Sequence, residues 1–144
     1  MTEIGFIGLG TMGGPMAANI IRGGYRVKGF DIEVAARERH ELNGGVVAKS
    51  AAEAVSNVKF VFTMLPNSEH VEEVLFGDEG IAFLMEEGSI LIDMSTINPL
   101  RSDQIREKLS KHNISMIDAP IGRTSAEAIS GKSLFMLGGE KKDI

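Results

Sequence analysis

Hydrophobic residues along this chain gather in short runs rather than in long periodic stretches. IGFI (4–7), YRVKGF (25–30), VKFVFTML (58–65), SILIDM (89–94), ISMIDA (114–119) and SLFML (133–137) are mostly β-compatible and bounded by Gly, Pro or Asn, as short buried strands are. Helical stretches are predicted between them near 12–22, 33–42, 51–56, 68–76 and 99–111. Ser50 followed by Glu53 is a capping-box pattern, and Asn98 sets a polar cap before Pro99 at a first helical position. Gly44 and Gly45 end the second helix, and a further short strand can fit at 46–48.

Strands alternating with helices predict an α/β fold, because parallel neighbours need a crossover and helices supply it. The expected architecture is a Rossmann-type, doubly wound, mainly parallel sheet in one domain over 1–144, with no internal linker. The tail LFMLGGEKKDI reads as a strand, a Gly-Gly turn and the start of a polar segment, so the sheet is expected to be truncated at its C-terminal end.

The first strand leads into Gly8, Gly10 and Gly13, spaced as G-x-G-x-x-G at the opening of a helix, the context in which that spacing binds dinucleotides. Gly8 suits a tight turn, Gly10 lets backbone approach a pyrophosphate, and Gly13 allows close helix–sheet packing. The amides near Thr11 and Met12, with the helix dipole, then face the phosphates. Pro15 suits the first turn of that helix. Asp31 closes the second strand, 18 residues after Gly13, where an acid accepts hydrogen bonds from ribose hydroxyls and repels a 2′-phosphate. The expected cofactor is NAD (NADH) rather than NADP.

Two further strand ends face the same crevice. Leu65 and Pro66 offer a bare carbonyl and an apolar wall to the cofactor, or simply turn the chain. Ser95 and Thr96 reach the nicotinamide ribose, with Ser95 also a candidate to touch the substrate, or cap the turn before the next helix. Asp93 and Asp118 end strands, where capping a turn is the expected role. His40, His70 and His112 lie far apart without carboxylates at ligand spacing; surface positions are expected for all three, and no metal site. None of the lysines is nominated as catalytic.

Composition narrows the class of partner. The 144 residues are 43% hydrophobic with net charge −5, and the 15 Lys and Arg form no basic run, so neither nucleic acid nor a membrane surface is an expected partner. With no cysteine, nothing depends on disulfides, and cytoplasm is the default location. The opening MTEIGFIGLGTMGG has neither the basic flank nor the apolar core of a secretory signal, and no stretch approaches the roughly 20 apolar residues of a membrane span.

The ordered motifs GLGTMGGPM (8–16), MLPN (64–67), DMSTINP (93–99), DAPIGRTSAEAISG (118–131) and MLGG (136–139) resemble the β-hydroxyacid dehydrogenase family, which includes 3-hydroxyisobutyrate dehydrogenases, over the whole chain. The resemblance implies an NAD-binding domain followed by an all-helical domain. That second domain is expected to carry a catalytic lysine, an asparagine four residues on, and most of a homo-oligomer interface. Most members place a Ser-Gly-Gly cradle after the DAP motif; here Gly122, Arg123 and Thr124 stand instead. This run is similar to that of the family's sulfolactaldehyde reductases, which implies NADH-dependent reduction of 3-sulfolactaldehyde to 2,3-dihydroxypropane-1-sulfonate. Arg123 offers a planar fork of donors and Thr124 a hydroxyl, a set suited to an anionic aldehyde or hydroxy acid. The alternatives are carboxylate substrates of the same family (3-hydroxyisobutyrate, tartronate semialdehyde, succinic semialdehyde), an imine reductase on the same fold, or a non-catalytic dinucleotide-binding module.

Overall fold

In a computed structural model, residues 1–122 and 124–144 are described. The elements run β1 (Glu3–Ile7), α1 (Gly13–Arg22), β2 (Arg26–Phe30), α2 (Val34–Leu42), β3 (Val46–Val47), α3 (Ala51–Val55), β4 (Phe60–Thr63), α4 (Ser68–Phe76), a 3-10 turn at Ala82–Leu84, β5 (Ile90–Asp93), α5 (Pro99–Ser110), β6 (Ser115–Asp118), β7 (Ile121–Gly122), α6 (Ser125–Ile129) and β8 (Leu134–Phe135). Six strands form one sheet in the order β3-β2-β1-β4-β5-β6, and every pairing in it is parallel. The chain leaves β1 in one direction for β2 and β3 and in the other for β4 to β6. That reversal is the hallmark of a doubly wound sheet.

Alternation along each strand divides the core. Ile7, Val61, Leu91 and Met116 join Val71, Leu75, Ile105 and Leu109 of α4 and α5. Phe6, Val27 and Ile117 face the other way, onto Met16 and Ala17 of α1, Ala36 of α2 and Ala128 of α6. Phe6 stacks on Phe62, with ring centroids 5.9 Å apart. Because both faces are covered, the strands read as near-continuous apolar runs rather than as alternating ones.

The caps follow the sequence. Ser50 Oγ accepts from the Glu53 amide at 3.1 Å, while the Glu53 carboxylate reaches back to the Lys49 amide. Asn98 accepts from the Leu100 amide at 2.9 Å, with Pro99 in the first turn of α5. Asn67 caps α4 through the His70 amide.

The C-terminal run departs from expectation. Of the predicted strand at 133–137 only Leu134–Phe135 is extended, and it pairs antiparallel with β7 instead of entering the parallel sheet. The chain turns back through the short α6, too short a path for a crossover that would bring a parallel strand alongside β6. Asp118 and Gly138 exchange both backbone hydrogen bonds at 2.7 Å, which closes the excursion against the end of β6.

His40 also differs. Instead of lying at the surface it is 3% exposed on the inner face of α2, its ring filling the space two glycines leave. A Cβ on Gly29 or Gly45 would approach the imidazole to 2.6 or 2.2 Å. Nε2 lies 3.2 Å from the Val27 carbonyl, a donor–acceptor pair for the neutral ring protonated at Nε2. Burial lowers the imidazole pKa below its ordinary 6.5, so the folded state binds fewer protons than the unfolded chain at mildly acid pH. This contribution is intact above the ordinary value and is lost as pH falls through it toward the folded one. Urea unfolding of wild type and His40→Gln at about pH 7.5 and about pH 5.5 should therefore show wild type losing stability relative to the variant on acidification; parallel behaviour would contradict a buried neutral ring.

Candidate functional site

Phe30, Ile7, Thr63, Asp93 and Asp118 form one register row across β2, β1, β4, β5 and β6. The residues just beyond that row line the carboxyl edge of the sheet at the reversal beside β1, the place where doubly wound sheets bind their ligands.

At its centre Gly8 has φ +94°, and its amide donates to the Phe30 carbonyl at 3.0 Å. A Cβ on Gly8 would stand 2.2 Å from the Met64 carbonyl oxygen, and one on Gly13 would stand 1.9 Å from the Gly8 carbonyl oxygen. These two glycines let the turn pass between β4 and α1. Gly10 differs, since among the described residues a Cβ there meets nothing within 4 Å beyond its chain neighbours. Its freedom from steric demand leaves room for a ligand beside the backbone. Among the described residues the Thr11 and Met12 amides donate to no protein acceptor. The first turn of α1 holds no acid, so its positive end is uncompensated and the unused donors suit a pyrophosphate.

Asp31 follows β2 and is half-buried. Its Oδ2 accepts from the Leu9 amide at 2.7 Å and its Oδ1 from the Glu33 amide at 2.9 Å. A carboxylate has about four acceptor sites, so it can hold the turn and still receive ribose hydroxyls. Arg37, not among the expected site residues, donates from Nη1 to the Asp31 carbonyl at 2.6 Å and lies 5.7 Å from the Phe30 ring centroid. Its i+6 separation from Asp31 within a polar helix left no signal of this role.

Past β4, Leu65 is half-buried and Pro66 exposed. The Leu65 amide donates to Ser95 Oγ at 2.9 Å. Ser95 is fully buried, so it stands behind the crevice wall rather than on it, while Thr96 is exposed. Asp93, expected as a turn cap, does accept from the Ser95 amide at 3.2 Å. It also accepts from Thr63 Oγ1 at 2.8 Å and is itself fully buried. Burial raises its pKa above the usual carboxylate range, against the hydrogen bonds from Ser95 and Thr63, and Asp118 in the next strand adds to the rise. Burial also raises Asp118, opposed by the nearby charge of Arg106.

Beyond β6, Gly122 is half-buried in β7, and a Cβ there would make only ordinary contact with Leu134 at 3.6 Å. Thr124 begins α6, and the Glu127 carboxylate accepts from its amide at 2.8 Å and its hydroxyl at 2.9 Å. Thr124 thus belongs to a capping box, a spacing as legible in the sequence as Ser50 with Glu53. Arg123 lies outside the described residues. Among the described residues no three His, Cys, Asp or Glu come together to hold a metal ion, and no helix is long and apolar enough to cross a membrane.

Comparison with known proteins gives a consistent picture. The family described as the NAD binding domain of 6-phosphogluconate dehydrogenase matches residues 3–144. The chain is 40% identical to the 3-sulfolactaldehyde reductase of Escherichia coli over all of its residues, covering 48% of that protein. It is 36% identical to the NAD-dependent L-serine dehydrogenase of Pseudomonas aeruginosa over 97% of its length and 47% of the relative. Among solved structures, the 3-hydroxyisobutyrate dehydrogenase of Mycobacterium tuberculosis with L-serine superposes with TM-score 0.93 at 33% identity, over 99% of this chain and 48% of that one. The chain spans about half the length of the curated relatives it matches.

The glycines separate a binding requirement from a folding one. Gly10→Ala should leave the thermal midpoint unchanged or slightly higher and weaken NADH binding by roughly tenfold or more, because the added methyl occupies only ligand space. Gly13→Ala, which must move a backbone oxygen, should cost more than about 2 kcal/mol of stability. Equal NADH affinity in wild type and Gly10→Ala, by fluorescence titration, would remove this turn from the site.

Proposed function

This chain belongs to the family of the NAD binding domain of 6-phosphogluconate dehydrogenase, and we propose on that ground that it serves an NADH-dependent reductase of a short anionic aldehyde, most specifically 3-sulfolactaldehyde. The observation that carries the cofactor half is the open Gly10 position, lying between unspent amides at Thr11 and Met12 and the Asp31 carboxylate. The substrate half is supported by the run Gly122, Arg123, Thr124 in place of a Ser-Gly-Gly cradle, and by the similarity to a 3-sulfolactaldehyde reductase along the whole chain.

In this reading Asp31 receives the adenosine ribose hydroxyls, the turn amides bind the pyrophosphate, and Leu65, Pro66 and Thr96 line the crevice beyond β4 and β5. The bound cofactor supplies the hydride. Arg123 pairs with the substrate anion, so that the aldehyde carbon is held toward the crevice and orientation is the chain's main contribution. A proton donor for the developing alkoxide is assigned to a lysine of the helical domain expected to follow.

Carboxylate substrates are the second reading, because an arginine fork binds a carboxylate as well as a sulfonate and the L-serine and 3-hydroxyisobutyrate dehydrogenases are similar over nearly the whole chain. Steady-state kinetics on the full-length protein with NADH should give a kcat/KM for 3-sulfolactaldehyde well above those for tartronate semialdehyde, succinic semialdehyde and methylmalonate semialdehyde, the product of 3-hydroxyisobutyrate oxidation. Arg123→Ala should raise KM for the sulfonated aldehyde by roughly 10- to 100-fold, the loss of one charge-assisted pair, with KM for NADH little changed. Preference for a carboxylate aldehyde, or unaltered aldehyde KM in the variant, would overturn the sulfonate assignment.

A further inference from the structure

Asp93 is an unexpected residue to find where it lies. It is fully buried at the end of a central strand, and Ile7 occupies the same register row two strands away. Its Oδ1 is used twice, by Thr63 Oγ1 and the Ser95 amide. Oδ2, among the described residues, has no hydrogen-bond partner. A buried carboxylate with one oxygen unmatched is costly for a fold, and an apolar side chain of similar volume is generally tolerated as well or better. Stability therefore does not account for it.

The bonds it makes point toward the crevice. Thr63 is the last residue of β4, directly before the Met64, Leu65 and Pro66 turn. Ser95 is the second residue past β5, directly before exposed Thr96. Asp93 holds the Ser95 backbone, and Ser95 Oγ in turn accepts from the Leu65 amide at 2.9 Å. The Leu65 amide sits next to Pro66, which has no donor of its own. One carboxylate thus sets the position of both chain segments that leave β4 and β5. With Asp31 beyond β2 taking the adenosine side, the ends of β4 and β5 fall to the other half of a dinucleotide bound across the reversal point.

We propose that Asp93 is a positioning residue for the nicotinamide half of the cofactor, acting through Thr63 and Ser95 to hold the Leu65–Pro66 and Ser95–Thr96 segments against it. The inference rests on the dinucleotide reading above. Its signature is selectivity between the two halves of the ligand: ADP, which has no nicotinamide riboside, should not sense Asp93, whereas NADH should.

The test is titration of NADH and of ADP into the full-length protein and its Ser95→Ala, Asp93→Leu and Asp93→Asn variants, with thermal melts alongside. Ser95→Ala and Asp93→Leu are expected to raise the NADH Kd by about tenfold and to leave the ADP Kd within about twofold. Asp93→Asn keeps an oxygen for Thr63 and Ser95, so its NADH Kd should lie below that of Asp93→Leu. If Asp93→Leu does not fold, Ser95→Ala, which leaves the carboxylate in place, decides the matter. NADH and ADP weakened in parallel, or NADH affinity unchanged in Ser95→Ala, would overturn the positioning role while leaving the dinucleotide site intact. Wild-type protein that binds neither ligand would overturn the site itself.

Discussion

Three stretches of backbone meet at the head of β1 with no side chain between them. The Gly8 carbonyl lies where a Cβ of Gly13 would stand, and the Met64 carbonyl lies where a Cβ of Gly8 would stand, at 1.9 and 2.2 Å. Because the obstructing atoms are backbone, no rotamer change relieves the clash. Everything on the carboxyl edge is positioned relative to this contact. It brings α1 onto the sheet with its amino end at the reversal point, and it sets the turn against β4. The Leu9 amide then falls 2.7 Å from Oδ2 of Asp31, just past β2. Free donors suited to an anion follow from packing that the fold requires anyway, since those at Thr11 and Met12 are ones that the turn and helix do not use among the described residues.

On the other side of β1 the organisation is polar and buried. Thr63, Asp93 and Asp118 occupy neighbouring positions in one row, and burial disfavours ionisation of both acids. The apolar cluster formed by Val61, Leu91 and Met116 lies two residues earlier in these same strands. On this face each strand therefore changes from apolar packing to a polar side chain at its last position. Asp93 acts on the chain leaving β4 as much as on its own turn, so the wall beyond Leu65 is set by a neighbouring strand.

The strand–helix alternation was legible because the strands are short, apolar and sharply bounded, and the caps at Ser50 and Asn98 behave as their side-chain chemistry demands. The glycine turn was legible because its spacing is a steric requirement written directly in residue identity. Much of what escaped depends on how separate segments pack, the local Thr124–Glu127 pair excepted. His40 resembles any polar residue on a charged helix until Gly29 and Gly45, on two other segments, are found to make room for its ring. Ser95 and Thr96 are adjacent and chemically alike, yet only pairing with β4 decides that the first is buried and the second exposed. Thr124 with Glu127 is a local helix-start signal set among residues whose chemistry also suits a ligand. The final strand, expected over 133–137, is extended only at Leu134–Phe135, and its partner depends on the path through α6, which local pattern does not encode.

Asp31 illustrates why the two halves of the site do not respond alike to substitution. Its carboxylate bonds the Leu9 and Glu33 amides, so it holds the loop on which a ligand would rest as well as offering it acceptors. Removing such a group disturbs shape and recognition together, and a change in affinity there does not isolate either one. Gly10 stands at the opposite extreme, with nothing beyond its chain neighbours within 4 Å of an added Cβ among the described residues. Asp93 lies between them: it touches no crevice surface, yet its bonds fix two segments that do. The site is thus layered by how far each residue's structural duty can be separated from its ligand duty. The separation is widest where the backbone alone makes the contact.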